Sequence, residues 1–264
     1  MFHDGLAGWA GDGYGSRRLF DQFNMKLKLG SFLALGLTAQ VVTAGDLTGT
    51  IKLNGTPPAE NPIPIDPACG KLNGGKAMNT TFFVVGEGQG LADSVVYLKG
   101  LTGKSTGAAA APLVVDQANC FYSPYVSTAQ TGQKITVKNS DPLMHNVHPI
   151  PTNKAGGNKE ENKAQMPKGA DLNFAFPGEE LFLKFKCDVH PWMFSYISIF
   201  DHPYHATTDK NGKFKIAGVP AGKYTVAVMH RKANGGKEVT KEIEVTDAGT
   251  TVDLALEAPT PVAK

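Results

Sequence analysis

Leu181-Phe-Leu-Lys-Phe-Lys-Cys187-Asp-Val-His190-Pro-Trp-Met193 runs from an apolar strand into three metal-binding side chains. A thiol, an imidazole and a thioether fall within seven residues at the end of that strand. A second imidazole stands upstream in Asn139-Ser-Asp-Pro-Leu-Met-His145-Asn-Val-His148. This mixture of donors suits one metal in particular. Copper that alternates between Cu(I) and Cu(II) needs soft sulfur for one state and nitrogen for the other. Two His, one Cys and a distant Met serve both states with little rearrangement. Zinc would take the Cys and the two His, but a structural zinc site wants a fourth strong ligand, and Met is a poor one.

Working outward, the chain from Gly45 reads as β throughout. Upstream, Leu47-Thr-Gly-Thr-Ile-Lys-Leu alternates and ends in the turn Asn54-Gly-Thr-Pro-Pro. Thr81-Phe-Phe-Val-Val and Ser94-Val-Val-Tyr-Leu-Lys are short β-branched and aromatic runs. Gly103-Lys-Ser-Thr-Gly-Ala-Ala-Ala-Ala-Pro is low in complexity and reads as a linker. The Lys- and Asn-rich stretch 153–168 reads as a surface loop. Downstream, Gly212-Lys-Phe-Lys-Ile, Lys223-Tyr-Thr-Val-Ala-Val, Glu242-Ile-Glu-Val and Thr251-Val-Asp-Leu-Ala-Leu alternate cleanly. With no long helical periodicity outside the N-terminal region, the expected class is all-β, built of sandwiches.

His145-Asn-Val-His and Cys187-x-x-His190-Pro-aromatic-Met193 resemble the copper motifs of the cupredoxins, the amicyanin-like members above all, over about residues 113–200. That resemblance implies a Greek-key β-sandwich holding one copper ion through His145, Cys187, His190 and Met193. It implies that Asn146 ties the upstream strand to the Cys loop, an outer contact of the kind that fixes ligand orientation. His148, Met144 and Met166 are weaker alternatives as ligands. Asp188 departs from the Ser or Thr usual after the Cys. If ionised and unpaired, its carboxylate should favour Cu(II) and lower the potential. Pro191 and Trp192 would form an apolar collar beside His190, with Trp192 as a core residue the equal alternative.

Thr207-Thr-Asp-Lys-Asn-Gly-Lys-Phe-Lys-Ile and Pro220-Ala-Gly-Lys-Tyr-Thr-Val resemble a second family, the carboxypeptidase regulatory-like (transthyretin-like) β-sandwich, over residues 205–256. Leu47 to Lys99 looks like the opening strands of that same smaller sandwich, with the cupredoxin inserted between Lys99 and His205. The expected division is 45–111 for those strands and the linker, 112–201 for the cupredoxin, 202–257 for the second sandwich and 258–264 for a tail. Three consecutive units are the competing layout. His202, His205 and His230 read as surface or junction histidines rather than a second metal site.

The N-terminus reads as an export signal. Met25-Lys-Leu-Lys is basic, Leu29 to Val42 is apolar or small, and Val42-Thr43-Ala44 fits a signal peptidase. Residues 25–44 are thus expected to be removed, leaving a periplasmic protein without stable membrane insertion, and 1–24 are read as a mis-assigned start or a disordered extension. Losing residues 1–44 removes four basic and three acidic groups from totals of 26 and 24, leaving 22 and 21, so the mature chain is nearly balanced. Charge therefore gives no nucleic-acid signal. Of three cysteines, Cys69 and Cys120 are the plausible disulfide pair, with two free buried thiols the alternative. Such a loop would stabilise the fold by about 4 kcal/mol on chain entropy alone.

The expected function is a periplasmic blue-copper electron carrier, not an enzyme. Its expected redox partner is a c-type cytochrome or a periplasmic dehydrogenase. An exported copper-binding or interaction module is the first alternative. A copper oxidoreductase is the second, though it would want His-rich patterns that the sequence lacks.

Overall fold

The computed structural model describes residues 43–260. The expectations for 1–24 and for most of the leader lie outside them, as does most of the tail. The described residues are all-β, with one short α-helix, Pro67–Leu72. Among them no helix is long and apolar enough to cross a membrane.

Strands from both ends of the described chain pair with each other. Ala44–Asn54 lies antiparallel to Lys213–Pro220 and parallel to Thr250–Thr251 and Leu254–Glu257. In a second sheet Val95–Leu98 lies between His205–Thr207 and Gly222–Met229, and the latter continues to Val239–Val245. The period of two explains which sides meet. Ile51 and Leu53 are buried while Lys52 and Asn54 are exposed, and Phe214 and Ile216 are buried between exposed lysines. These side chains close one core with Val96, Leu98, Val226 and Leu256.

Residues 113–200 form two further sheets. One runs in the order Val126–Gln130, Phe194–Phe200, Glu180–Lys186, His145–Ile150, Lys163–Gln165. The other runs Phe121–Ser123, Leu113–Ala118, Ile135–Asn139, Leu172–Phe174. The chain passes back and forth between the two sheets, a Greek-key sandwich. Phe185 sits unexposed at its centre, edge-on to Phe174 and Phe176 at 5.7 and 6.0 Å between centroids.

Three local readings change. Thr81-Phe-Phe-Val-Val is not a strand; only an isolated bridge joins Val85 to Leu91. The Phe83 N–H goes instead to the Glu60 carboxylate at 2.7 Å, its ring packs on His230, and Phe82 lies under the Lys232 ammonium. The apolar residues here serve rings and a cation, not a ladder. The expected linker is fastened down: Thr106 N–H donates to Gln130 and the Ser105 hydroxyl to Thr131 O, both at 2.8 Å. Gly107 permits this, because a Cβ there would meet Thr131 O at 2.2 Å. The polar stretch 153–168 is also organised. Asn158 is buried and exchanges two hydrogen bonds with the Gly178 backbone, and Lys163–Gln165 adds a strand beside His145–Ile150.

Candidate metal centre

Cys187 follows directly on Glu180–Lys186, and Phe194–Phe200 returns antiparallel beside it, with Lys186 opposite Phe194. The connecting turn closes on itself. Cys187 N–H donates to Met193 O at 3.1 Å and Met193 N–H to His190 O at 2.9 Å. On the other side His145 begins the strand His145–Ile150, which pairs with the Cys187 strand. Three strand ends thus deliver His145, Cys187 and His190 to one place, with the buried Met193 ending the turn beside them. One ligand atom each from His145, Cys187 and His190 lies within 4.8 Å of the others. The two Nδ1 atoms stand 3.0 Å apart, and Cys187 Sγ is 3.6 Å from His190 Nδ1. His145 and Met193 are unexposed, and Cys187 and His190 nearly so.

The outer nitrogen of each imidazole faces a carboxylate. His145 Nε2 is 2.9 Å from Asp141 Oδ2, and His190 Nε2 is 3.4 Å from Asp66 Oδ2. A carboxylate accepts only, so Asp141 assigns the proton of His145 to Nε2, and Asp66, at ion-pair distance, favours the same on His190. Both Nδ1 lone pairs then point at each other across 3.0 Å, beside a sulfur. That arrangement is repulsive without a cation and favourable around one. The sulfur is prepared in the same sense. Burial pushes the Cys187 thiol up, but the His145 contact and the backbone N–H groups of Asn146, His190 and Val189 outweigh it. The net shift is downward, toward the thiolate that binds metal. For His145 burial pulls down, yet Cys187 and Asp141 leave the net shift upward; burial and the His145 charge lower His190. The donor set fits a soft, borderline-nitrogen ion such as copper.

Around this cluster, Asn146 Oδ1 lies 3.3 Å from Cys187 Sγ and accepts the Asp188 N–H at 2.6 Å. Asp188 is not unpaired. Its carboxylate meets Lys186 Nζ at 2.5 Å, His148 Nδ1 at 2.8 Å and Asn162 Nδ2 at 2.8 Å. Lys186 first and then these neighbours hold it far below the usual carboxylate range. The charge is real but compensated, so the condition for its expected effect on the potential is not met. His148 is spent in this network, its second nitrogen on Glu160 at 2.9 Å, and stands outside the donor cluster. Met144 and Met166 are 41% and 64% exposed, unlike the enclosed donors.

Trp192 is half-buried, 5.5 Å from the His190 ring, and donates its indole N–H to Cys120 O at 3.1 Å. With exposed Pro191 it borders a cavity of about 550 Å³ shared with Pro62, Ile63, Met78 and Phe82. It is therefore wall and packing at once. Cys69 and Cys120 are joined by a disulfide, with Cα atoms 5.7 Å apart. Sequence reasoning passed over Asp66, Asp141, Asn162 and Lys186. Asp141 had a signal, an acid four residues before His145 in a turn; Asp66 had none.

His202, His205 and His230 form no donor cluster among the described residues. His202 Nδ1 accepts from Tyr204 N–H, and His230 Nδ1 accepts from Lys232 and Ala233 N–H. His205 stacks on Phe200 at 5.1 Å, and both its ring nitrogens are enclosed without a partner although its edge is partly exposed. Burial pushes His205 down to about 3. The unfolded chain therefore binds the extra proton first, near pH 6.5. Stability from this group is complete above that pH and falls as the pH drops toward 3. His205→Phe, which keeps the stack and removes the base, should spare roughly 3 kcal/mol of the loss between pH 7 and 4. Denaturant midpoints across that range check it; parallel profiles would show that His205 is not the group responsible.

Residues 196–257 match the family model of the carboxypeptidase regulatory-like domain. No curated protein matches the chain significantly. Among solved structures, an oxidised amicyanin variant is 19% identical with a TM-score of 0.30, covering 39% of this chain and 97% of its own. A purple cupredoxin from Nitrosopumilus maritimus is 23% identical with a TM-score of 0.28, covering 34% and 99%. A copper-containing nitrite reductase from Thermus scotoductus is 16% identical with a TM-score of 0.30, covering 52% of this chain and 27% of its own.

Proposed function

We propose that this chain is an exported copper protein that passes single electrons between redox partners, its metal to be held by His145, Cys187 and His190 with Met193 as a fourth donor. The reading is carried by one observation: two Nδ1 atoms and a sulfur converge in an enclosed site while each outer nitrogen faces a carboxylate. A copper ion there would supply one-electron chemistry at little geometric cost. The chain's own part is to hold that geometry. Backbone N–H groups favour the thiolate, Asp141 and Asp66 set the ring tautomers, and burial keeps water from the donors. Pro191 and Trp192 present an apolar edge next to His190, suited to brief contact with a c-type cytochrome or a periplasmic dehydrogenase. In this reading residues 113–200 are a copper-bearing sandwich inserted into the carboxypeptidase regulatory-like one.

A second reading, an exported copper-holding module, draws on the coverage of His190, which is only 6% exposed beneath Asp66 and Cys69. Electron exchange with a c-type cytochrome separates the two. For the primary reading, the chain from Gly45 should turn intensely coloured on Cu(II) loading, with a thiolate-to-copper band that bleaches on reduction. A colourless protein, or one that takes only zinc, would overturn it.

A further inference from the structure

Cys120 occupies a crossing point between the two imidazole–carboxylate pairs. Its N–H donates to Asp141 Oδ2 at 2.8 Å, the same oxygen that meets His145 Nε2. Its carbonyl accepts the Trp192 indole N–H, one turn residue beyond Pro191 and two beyond His190. Its sulfur is bonded to Cys69, whose N–H donates to Asp66 Oδ1 at 2.8 Å. The other oxygen of Asp66 faces His190. The cysteine sulfurs and a ring nitrogen of His190 lie within 4.8 Å of one another.

The other anchors of Asp66 are apolar and local: Ile65 before it and Leu72 in its helix pack on the sandwich core, and neither fixes where the carboxylate points. It caps the helix Pro67–Leu72, six residues long and far below the length at which a helix holds together alone. Between Asn54 and Val95 the chain has no strand, only isolated bridges. Besides the disulfide, the link from this helix to the Cys120 turn is Asn73 Nδ2 donating to Asn119 O at 2.8 Å. Asn119 and Cys120 both have positive φ, 55° and 58°, an unfavourable backbone for side-chain-bearing residues. Asp141 fixes it by accepting both N–H groups.

Building on the metal-centre reading above, we propose that the Cys69–Cys120 disulfide is an outer brace of the metal centre, and that Asp66 is the positioning residue it holds against His190. The bridge thereby joins the supports of both imidazoles through one residue, Cys120. Its main effect is local, on ligand geometry, in addition to any effect on global stability.

Three variants test this: Asp66→Ala, the Cys69→Ser/Cys120→Ser pair, and their combination. Copper affinity is measured by competition with a chelator in each. Outer contacts of this kind are worth about 10- to 100-fold in metal affinity, and Asp66→Ala and the double serine variant should each fall in that range. The combination should be scarcely weaker than either, because both remove one support. Asp66→Asn, which can still cap the helix through its carbonyl, should recover part of the loss. Independent multiplication of the two effects, or no effect of the serine variant, would overturn the proposal. A second arm uses the metal-free protein and stands even if the wild type takes no copper. Carbethoxylation of His190 by diethyl pyrocarbonate, located by mass spectrometry, should be slow in the wild type. It should be severalfold faster in the serine variant, whose covering helix opens locally. Equal rates, with the helix protecting His190 regardless of the bridge, would also overturn it.

Discussion

Cys187→Ser should abolish the visible charge-transfer absorption of the copper-loaded protein while leaving its fold intact. The two halves of that expectation rest on different observations. Cys187 is 1% exposed, and its sulfur receives backbone N–H groups from Asn146, Val189 and His190. Those donors would welcome a serine oxygen as well as a sulfur, and the turn is closed by backbone bonds that do not involve the side chain. The cost of exchanging SH for OH is therefore about 1 kcal/mol. The metal sees a larger change. A serine hydroxyl stays protonated near neutrality and offers a hard, neutral oxygen where the site was built around a soft thiolate. Absorption, EPR and a denaturant curve on one preparation read all three quantities. An intense band surviving in the variant would mean that Cys187 is not the ligand, and a collapsed denaturation midpoint would mean that its role is structural.

What the sequence could disclose follows from how far apart the cooperating residues lie. Cys187, His190 and Met193 share one turn, so their spacing is itself the signal, and His145 stands out because an asparagine and a strand pattern follow it. The alternation of Phe214 and Ile216 against their lysines declares a half-buried strand whatever its partner. The carboxylates are another matter. Asp66 reaches His190 across 124 positions by way of a disulfide and a six-residue helix, and no local pattern encodes that approach. Asp188 shows the same limit from the other side. Its identity suggested an uncompensated charge, and only the fold brings Lys186, His148 and Asn162 around it. Thr81-Phe-Phe-Val-Val has strand composition, but Glu60 captures its backbone and a histidine takes one of its rings. Composition reports what a segment can pack, not which partner arrives first.

Asp141→Ala should damage both stability and metal binding, and the two losses should be separable. This carboxylate is 3% exposed and takes three donors: Asn119 N–H at 2.6 Å, Cys120 N–H at 2.8 Å and His145 Nε2 at 2.9 Å. Alanine leaves two backbone N–H groups without an acceptor, on residues already held at positive φ. A buried donor stranded in this way costs about 1–3 kcal/mol, so the metal-free variant should lose roughly 3–5 kcal/mol in denaturant unfolding. The imidazole suffers separately. Without Asp141 nothing fixes its proton on Nε2, and the fraction of rings with a free Nδ1 lone pair falls. Copper affinity should drop by a further 10- to 100-fold in protein that remains folded. Asp141→Asn divides the two effects. Its carbonyl can accept one backbone N–H, so stability should recover in part, while its amide N–H group would face the His145 Nε2–H if it turned toward the ring. An alanine variant within 1 kcal/mol of the wild type would show that the Asn119–Cys120 turn does not depend on this carboxylate. Unchanged copper affinity would show that His145 is held by its strand alone.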